Sequence, residues 1–142
     1  MNDDLENHGC FALRGDKNQI ENGSEFSPKF DENGLIAALA MDVHTREPLM
    51  LAWMNKESLR MTLEKGEAVY WSRSRREIWH KGATSGQIQK VLEMRTDCDQ
   101  DALILYVEQA GGGACHTGKK SCFYRSVSPG SPAALNFLEE NG

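Results

Sequence analysis

The segment Asp97-Cys98-Asp99-Gln100-Asp101, followed downstream by Cys115-His116 and then Cys122, gathers three thiols and three carboxylates into one stretch of the chain. Soft thiolates favour zinc and hard carboxylates favour magnesium or calcium, so this composition points to two adjacent ions of different character. If residues 97 to 101 run extended, Asp97, Asp99 and Asp101 share one face and Cys98 points to the other, which would sort the ligands by metal. Three cysteines without an obvious fourth protein ligand describe a zinc site with an open position, the usual form of a catalytic zinc. His116 either fills the fourth place or stays available as an acid or base.

Other readings of these residues are weaker. Four cysteines allow a disulfide framework, but no secretory segment is visible and the spacing is not dense. Cys98 between two aspartates and Cys115 between a glycine run and a histidine do not look like core thiols; Cys122 in Ser-Cys-Phe-Tyr leans on the other two. Cys10 has no assigned role, and His8 beside it reads as a solvated surface residue. Asp97, Asp99, Asp101 and Glu108 fit the first, third, fifth and twelfth positions of a calcium-binding EF-hand, yet Ala102 stands where the sharp bend needs glycine and a β-type apolar run follows. The His-x-Glu and Pro-Cys-x-x-Cys signature of nucleobase deaminases is absent.

A second constellation runs from Tyr70 to Gly86 and interleaves aromatic, basic and hydroxyl residues. Trp71, Arg73, Ser74, Arg75, Lys81, Thr84 and Ser85 are its candidate substrate-binding residues. Arginine forks and exposed Gly/Ser/Thr amides suit phosphate oxygens, and the aromatic faces suit a base or sugar. A half-buried strand with core tryptophans and solvated arginines explains the same segment as well. A single-stranded RNA surface would use similar residues, but a net charge of -5 argues against a general nucleic-acid binder.

The elements that must position these groups read as a strand-dominated α+β domain. At 142 residues the chain suits one domain with a core of its own. Residues 1–29 form a polar arm without periodicity, expected to be loosely packed; 30–126 form the domain and 127–142 a short tail. Leu35 to Val43 and Pro48 to Met54 predict a hairpin around His44-Thr45-Arg46-Glu47. Asn55 is an N-cap, Met54 and Leu59 occupy staple positions, and a helix is expected from Lys56 to Lys65 with Gly66 as its stop. Strands are expected over Ala68–Arg73, Ile88–Arg95, Ala102–Gln109 and Ser121–Arg125, with the aspartates at the bend before the third of these. No apolar run approaches the roughly 20 residues of a bilayer span, and retained thiols suit a reducing cytoplasm.

Ala52-Trp53-Met54-Asn55, Tyr70-Trp71-Ser72-Arg73-Ser74-Arg75, Trp79, Lys81-Gly82, Thr84-Ser85-Gly86, Asp97-Cys98-Asp99-Gln100-Asp101, Gln109, Ala114-Cys115-His116-Thr117-Gly118 and Ser121-Cys122-Phe123 together resemble the phosphoribosyl-AMP cyclohydrolases. The likeness spans about Phe30 to Arg125, and motifs this long in this order are highly specific; the arm and the extra glycine of Gly111-Gly112-Gly113 depart mildly from the pattern. The resemblance implies a zinc-dependent, magnesium-assisted hydrolase of histidine biosynthesis that opens the adenine ring of 1-(5-phosphoribosyl)-AMP between N1 and C6. It further implies a pseudo-barrel-like mixed sheet with few short helices, and an intertwined homodimer with zinc sites shared between chains. By the same resemblance Cys98, Cys115 and Cys122 hold one zinc per chain and Asp97, Asp99 and Asp101 one magnesium per chain. His116 is the expected proton shuttle, and Arg73, Arg75, Lys81, Thr84 and Ser85 are expected at the phosphates. The short stretch after Cys122 leaves no room for the pyrophosphohydrolase domain fused to some members, so a monofunctional enzyme is expected. Two other classes compete: a closed, non-catalytic zinc module with His116 as fourth ligand, which lacks the usual Cys-x-x-Cys knuckles, and a metal-free nucleotide-binding regulator.

Elemental analysis should give about one zinc per chain. Cys98→Ser, Cys115→Ser and Cys122→Ser should each lower that content and abolish turnover, whereas Cys10→Ser should change neither. Full activity of metal-free protein would refute the assignment.

Overall fold

The computed structural model describes residues 11–115 and 119–138. Six strands build one mixed sheet curled into a half-barrel. They are β1 (Ile36–Asp42), β2 (Pro48–Met54), β3 (Val69–Ser72), β4 (Glu77–His80), β5 (Gln89–Thr96) and β6 (Ala102–Gln109), in the order β4-β3-β2-β1-β6-β5. The pair β1–β6 is parallel and every other pair is antiparallel. A short helix α1 (Lys17–Asn22) precedes the sheet, α2 (Lys56–Lys65) connects β2 to β3, and β7 (Arg125–Ser128) with β8 (Ala134–Phe137) forms a separate antiparallel hairpin.

The core follows from the two-residue period of strands. Ile36, Ala38 and Ala40 of β1 are buried, and the parallel register sets Ala38 beside Leu103 and Ala40 beside Leu105. A small residue on one strand thus meets a large one on the next, and each fully covered leucine contributes about 1.5–3 kcal/mol relative to exposure. Leu49, Met54, Leu59, Tyr70 and Val107 complete the layer.

Helix α2 begins where expected. The Asn55 side chain accepts the Ser58 N–H at 2.8 Å, and the Ser58 hydroxyl accepts the Asn55 N–H at 2.9 Å, closing a reciprocal cap. Met54 and Leu59 are both fully buried, as staple residues should be. Gly66 ends the helix at φ +72°, a left-handed position that suits a residue without Cβ.

Four features differ from the sequence reading. Residues 11–30 are not loosely packed: Phe11 lies in the core with its ring 6.1 Å from Phe26 and 6.2 Å from Phe30, and Asp16 and Gln19 close a capping box on α1. The three phenylalanines lack a strand or helix period, so the pattern concealed their burial. Strand β4 was not foreseen, because the turn before it uses Arg76 at φ +55° where a glycine or asparagine would have marked it. Ser121 to Tyr124 runs irregularly, pinned to β2 by the Cys122 N–H bond to Leu49 O at 2.7 Å, and the strand begins only at Arg125. Residues 129–133, in the expected short tail, connect β7 to β8 in an antiparallel hairpin. Among the described residues no helix is long and apolar enough to cross a membrane.

Asn55→Ala removes the side-chain acceptor of the Ser58 N–H in the α2 cap and should destabilise the protein by about 1 kcal/mol, read as a lower denaturant midpoint at unchanged slope.

Candidate metal centre

The aspartates sit in the connection between β5 and β6, and it is a tight turn rather than an extended run. The Asp97 carboxylate accepts the N–H groups of Asp101 at 2.9 Å and Ala102 at 3.2 Å, while Asp97 O accepts the Gln100 N–H at 3.1 Å. Gln100 takes φ +58°, which reverses the chain. The expected alternation of faces is therefore overturned: backbone curvature, not strand pleat, brings Asp97, Asp99 and Asp101 together. Their carboxylate oxygens lie within 4.8 Å of one another and are exposed.

Three like charges this close cannot all ionise freely. Hydrogen bonds with Asp97 and then Asp99 push the Asp101 carboxyl up to about 6. For Asp97 the largest influence is burial, which opposes ionisation, but bonds from the Asp101 carboxyl and from the Asp101 and Ala102 amides together outweigh it and hold the group below the ordinary carboxylate value. The opposite shifts describe one proton held by the cluster. A divalent cation with an appetite for oxygen ligands fits the position this proton occupies, so the donor set suits magnesium or calcium.

Cys115 and Cys122 meet at the other end of the sheet. Gly111-Gly112-Gly113 leads out of β6, and Gly113 at φ +133° lies so close to the returning chain that a Cβ there would stand 2.5 Å from Lys119 O. The approach lets the Cys115 N–H bond Lys119 O at 3.2 Å and the Ala114 N–H bond Lys120 O at 3.1 Å. Loss of water, then the hydrogen bond and charge of Cys115, push the Cys122 thiol up to about 11, with Lys81 pulling the other way. Burial depresses Lys81, and the negative charge of Cys122 and Cys115 partly restores it. Two sulfurs and an ammonium therefore share one pocket. Soft sulfur donors suit zinc.

Lys81 was expected among the phosphate-binding residues. It is buried, donates to Ala114 O at 2.9 Å, and lies 5.4 Å from the centre of the Trp79 ring.

Cys98 does not join the other two cysteines. Among the described residues the three aspartates are the one group of three or more Cys, His, Asp or Glu ligand atoms that closes to within 4.8 Å. The register explains why. Cys98 precedes Ala102 at the start of β6, whereas Cys122 is tied to Leu49, next to Pro48, which pairs with Met41 and through it with Tyr106. The four residue steps from Ala102 to Tyr106 alone span roughly 13 Å. His116 falls outside the described residues.

The aromatic and basic segment forms the β3–β4 hairpin and the turn after it. Trp71 pairs across the sheet with Trp53, and the Arg73 guanidinium lies 4.8 Å over the Trp53 ring. Arg75 lies 5.9 Å from the Trp79 ring centre, and its N–H bonds the Ser72 hydroxyl at 3.3 Å, with Ser74 Oγ 3.5 Å from the same atom. Arg73, Ser74, Arg75, Thr84 and Ser85 are all exposed. Sequence reasoning gave no role to the buried chain linking these parts: Tyr70 Oη donates to Gln89 Oε1 at 2.6 Å, Gln89 Nε2 to Gln109 Oε1 at 2.8 Å, and Gln109 Nε2 to Gln87 O at 2.9 Å. Gln109 stands in the family pattern, which was the available signal. A cleft of about 550 Å³ opens beside Cys98 and Asp97, with Phe26, Met94 and Leu103 among its walls.

Because the aspartate cluster holds a proton up to about pH 6, cation and proton compete for it. Magnesium affinity should be steady above that pH and fall by up to about tenfold per unit below it. Asp101→Asn should flatten the profile; a wild-type affinity independent of pH between 5 and 7, measured by calorimetry, would contradict the shared proton.

Comparison with known proteins identifies the family. Residues 50–124 match the family model described as phosphoribosyl-AMP cyclohydrolase. The chain is 55% identical over 132 residues to a phosphoribosyl-AMP cyclohydrolase of Brucella canis, covering 92% of this chain and 95% of that protein. It is 61% identical over 106 residues to that of Hyphomonas neptunium, covering 75% and 80%, and 54% identical over 120 residues to that of Rhodopseudomonas palustris, covering 84% and 80%. With the matched region running from β2 through Cys122, this chain belongs to the phosphoribosyl-AMP cyclohydrolase family of hydrolases, which act in histidine biosynthesis.

Proposed function

We propose that the chain opens the adenine ring of 1-(5-phosphoribosyl)-AMP at the N1–C6 bond, as a zinc-dependent and magnesium-assisted homodimer of the cytoplasm. Each active site combines Cys98 of one protomer with Cys115 and Cys122 of its partner. The observation that carries the reading is the separation of Cys98 from the other two thiols along β6, which leaves each chain with two complementary parts of one ligand set. A symmetric dimer completes both sites at once.

N1 substitution makes the purine cationic and C6 electrophilic. Water oxygen adds to C6, the C6–N1 bond breaks with its electron pair going to N1, and a proton ends on N1, leaving a carboxamide and a formimino group. Zinc, when bound, supplies the nucleophile at neutral pH by acidifying water to about 7. His116, adjacent to Cys115 in the chain, moves the proton. Lys81 balances the charge of the thiolate pair and anchors Ala114, so the loop carrying Cys115 is held before metal arrives. The exposed Arg73 and Arg75, fixed over tryptophan rings, offer forks for phosphate, and Ser74, Thr84 and Ser85 offer exposed hydroxyls. Binding energy from the phosphates positions the ring. Asp97, Asp99 and Asp101 hold magnesium.

Ring opening followed by absorbance should vanish with a zinc chelator and return with zinc. His116→Ala should lower turnover about 10²–10⁴-fold while zinc content holds; parallel loss of zinc would make His116 a ligand instead. The shared site has its own test. Inactive Cys98→Ser and inactive Cys122→Ser, unfolded and refolded together, should regain roughly a quarter of wild-type activity, since about half the dimers are mixed and each has one intact site. No recovery, with mixed dimers detected by mass spectrometry, would place all ligands on one chain.

A further inference from the structure

Gln100 stands between two of the three aspartates, and every polar group it has is used. Its N–H bonds Asp97 O within the turn, and its C=O accepts the Lys29 N–H at 2.7 Å. Its side-chain Oε1 accepts the Ser27 N–H at 2.7 Å, and Nε2 donates to Ile20 O at 3.0 Å. The residue is 5% exposed although the neighbouring carboxylates face solvent. Its partners outside the turn are all backbone groups of residues 20–29, so one side chain ties the arm to the aspartate turn.

The arm is itself anchored. Phe11 is buried against Phe26 and Phe30, the Ala12 N–H bonds Phe26 O at 2.6 Å, and Arg14 Nη1 donates to Ser27 O at 2.7 Å. Left-handed φ is unfavourable for a residue with a side chain unless its surroundings impose it. Here the surroundings are the arm: the Lys29 and Ser27 amides fix the backbone and side chain of the residue whose conformation sets the angle between Asp99 and Asp101.

We propose that Gln100, gripped by residues 20–29, is a positioning residue for the cation held by Asp97, Asp99 and Asp101, and that the arm is a working part of that site. The inference rests on the reading of the triad as a divalent-cation seat. Three carboxylates held within 4.8 Å of one another repel, and a seat of low cost to the cation must be held closed beforehand. The Gln100 clamp does this from outside the turn. Coupling between two sites is reciprocal, so an arm that tightens cation binding must itself be tightened by the cation.

Two measurements test this in the zinc-loaded full-length protein. Manganese binding, followed by the loss of free-ion paramagnetic resonance signal, should weaken about tenfold in Gln100→Ala, with zinc content unchanged. Gln100→Gly relieves the left-handed strain while also removing the clamp, so it should weaken binding as well; wild-type affinity in folded Gln100→Gly would show that backbone conformation alone matters and overturn the role of the side chain. The second measurement needs no substitution. Saturating magnesium should slow amide hydrogen exchange at Ser27 and Lys29 by about fivefold or more in wild type and leave it unchanged in Asp99→Asn. Magnesium that binds, by calorimetry, without slowing exchange at these amides would overturn the inference even if the variants fail to fold. Absence of any magnesium or manganese binding that Asp99→Asn removes would instead refute the cation seat on which it stands.

Discussion

Strand β6 is a rigid spacer with chemistry at both ends. Its eight residues begin just after the aspartate turn and end at the glycine run leading to Cys115. Parallel pairing with β1 locks its register, and the alanine-to-leucine contacts at Ala38–Leu103 and Ala40–Leu105 exclude a shift without loss of core packing. Any rearrangement bringing Cys98 to Cys122 within one chain would have to dissolve that central pair. The arrangement of the two ligand groups is thus decided by the part of the sheet least able to yield.

The two ends handle charge in contrasting ways. At the hard end, solvent-exposed carboxylates are crowded enough to shift their proton affinities in opposite directions, and the main chain is curved by a residue clamped from outside. At the soft end, sulfur is partly withdrawn from water and given an ammonium for company. Both follow from the same electrostatics: charge that is crowded together or drawn from water has to be stabilised by a neighbouring group. Among the described residues no buried side-chain polar atom lacks a partner, so these local stresses are not relieved by leaving groups unbonded.

How much of this could be read from the residues depends on the range of the interaction. The α2 cap, its glycine stop and the β1–β2 hairpin are written within a few neighbouring positions, and Asn55, Ser58 and Gly66 do what short-range stereochemistry expects. The membership of Asp97, Asp99 and Asp101 in one cluster was legible too, though by a mistaken geometry, since spacing by two is shared by a strand face and by this turn. Burial of Lys81 and the grip of the arm on Gln100 were not legible. Each depends on segments 33 and 73 or more residues away, where no local period reports the contact. The capping box of Asp16 and Gln19 orders a part of the arm whose polar composition reads as loosely packed.

The high proton affinity of Cys122 bears on how the chain meets oxidants. A thiol pushed up to about 11 is ionised in only roughly one molecule in ten thousand near neutral pH, and the thiolate is the form that peroxides and disulfides attack. An exposed cysteine that would otherwise invite oxidation is kept chemically quiet at that sulfur. The loop beside Lys81 thus carries this cysteine at rest as a thiol of low reactivity, although it lies open to solvent.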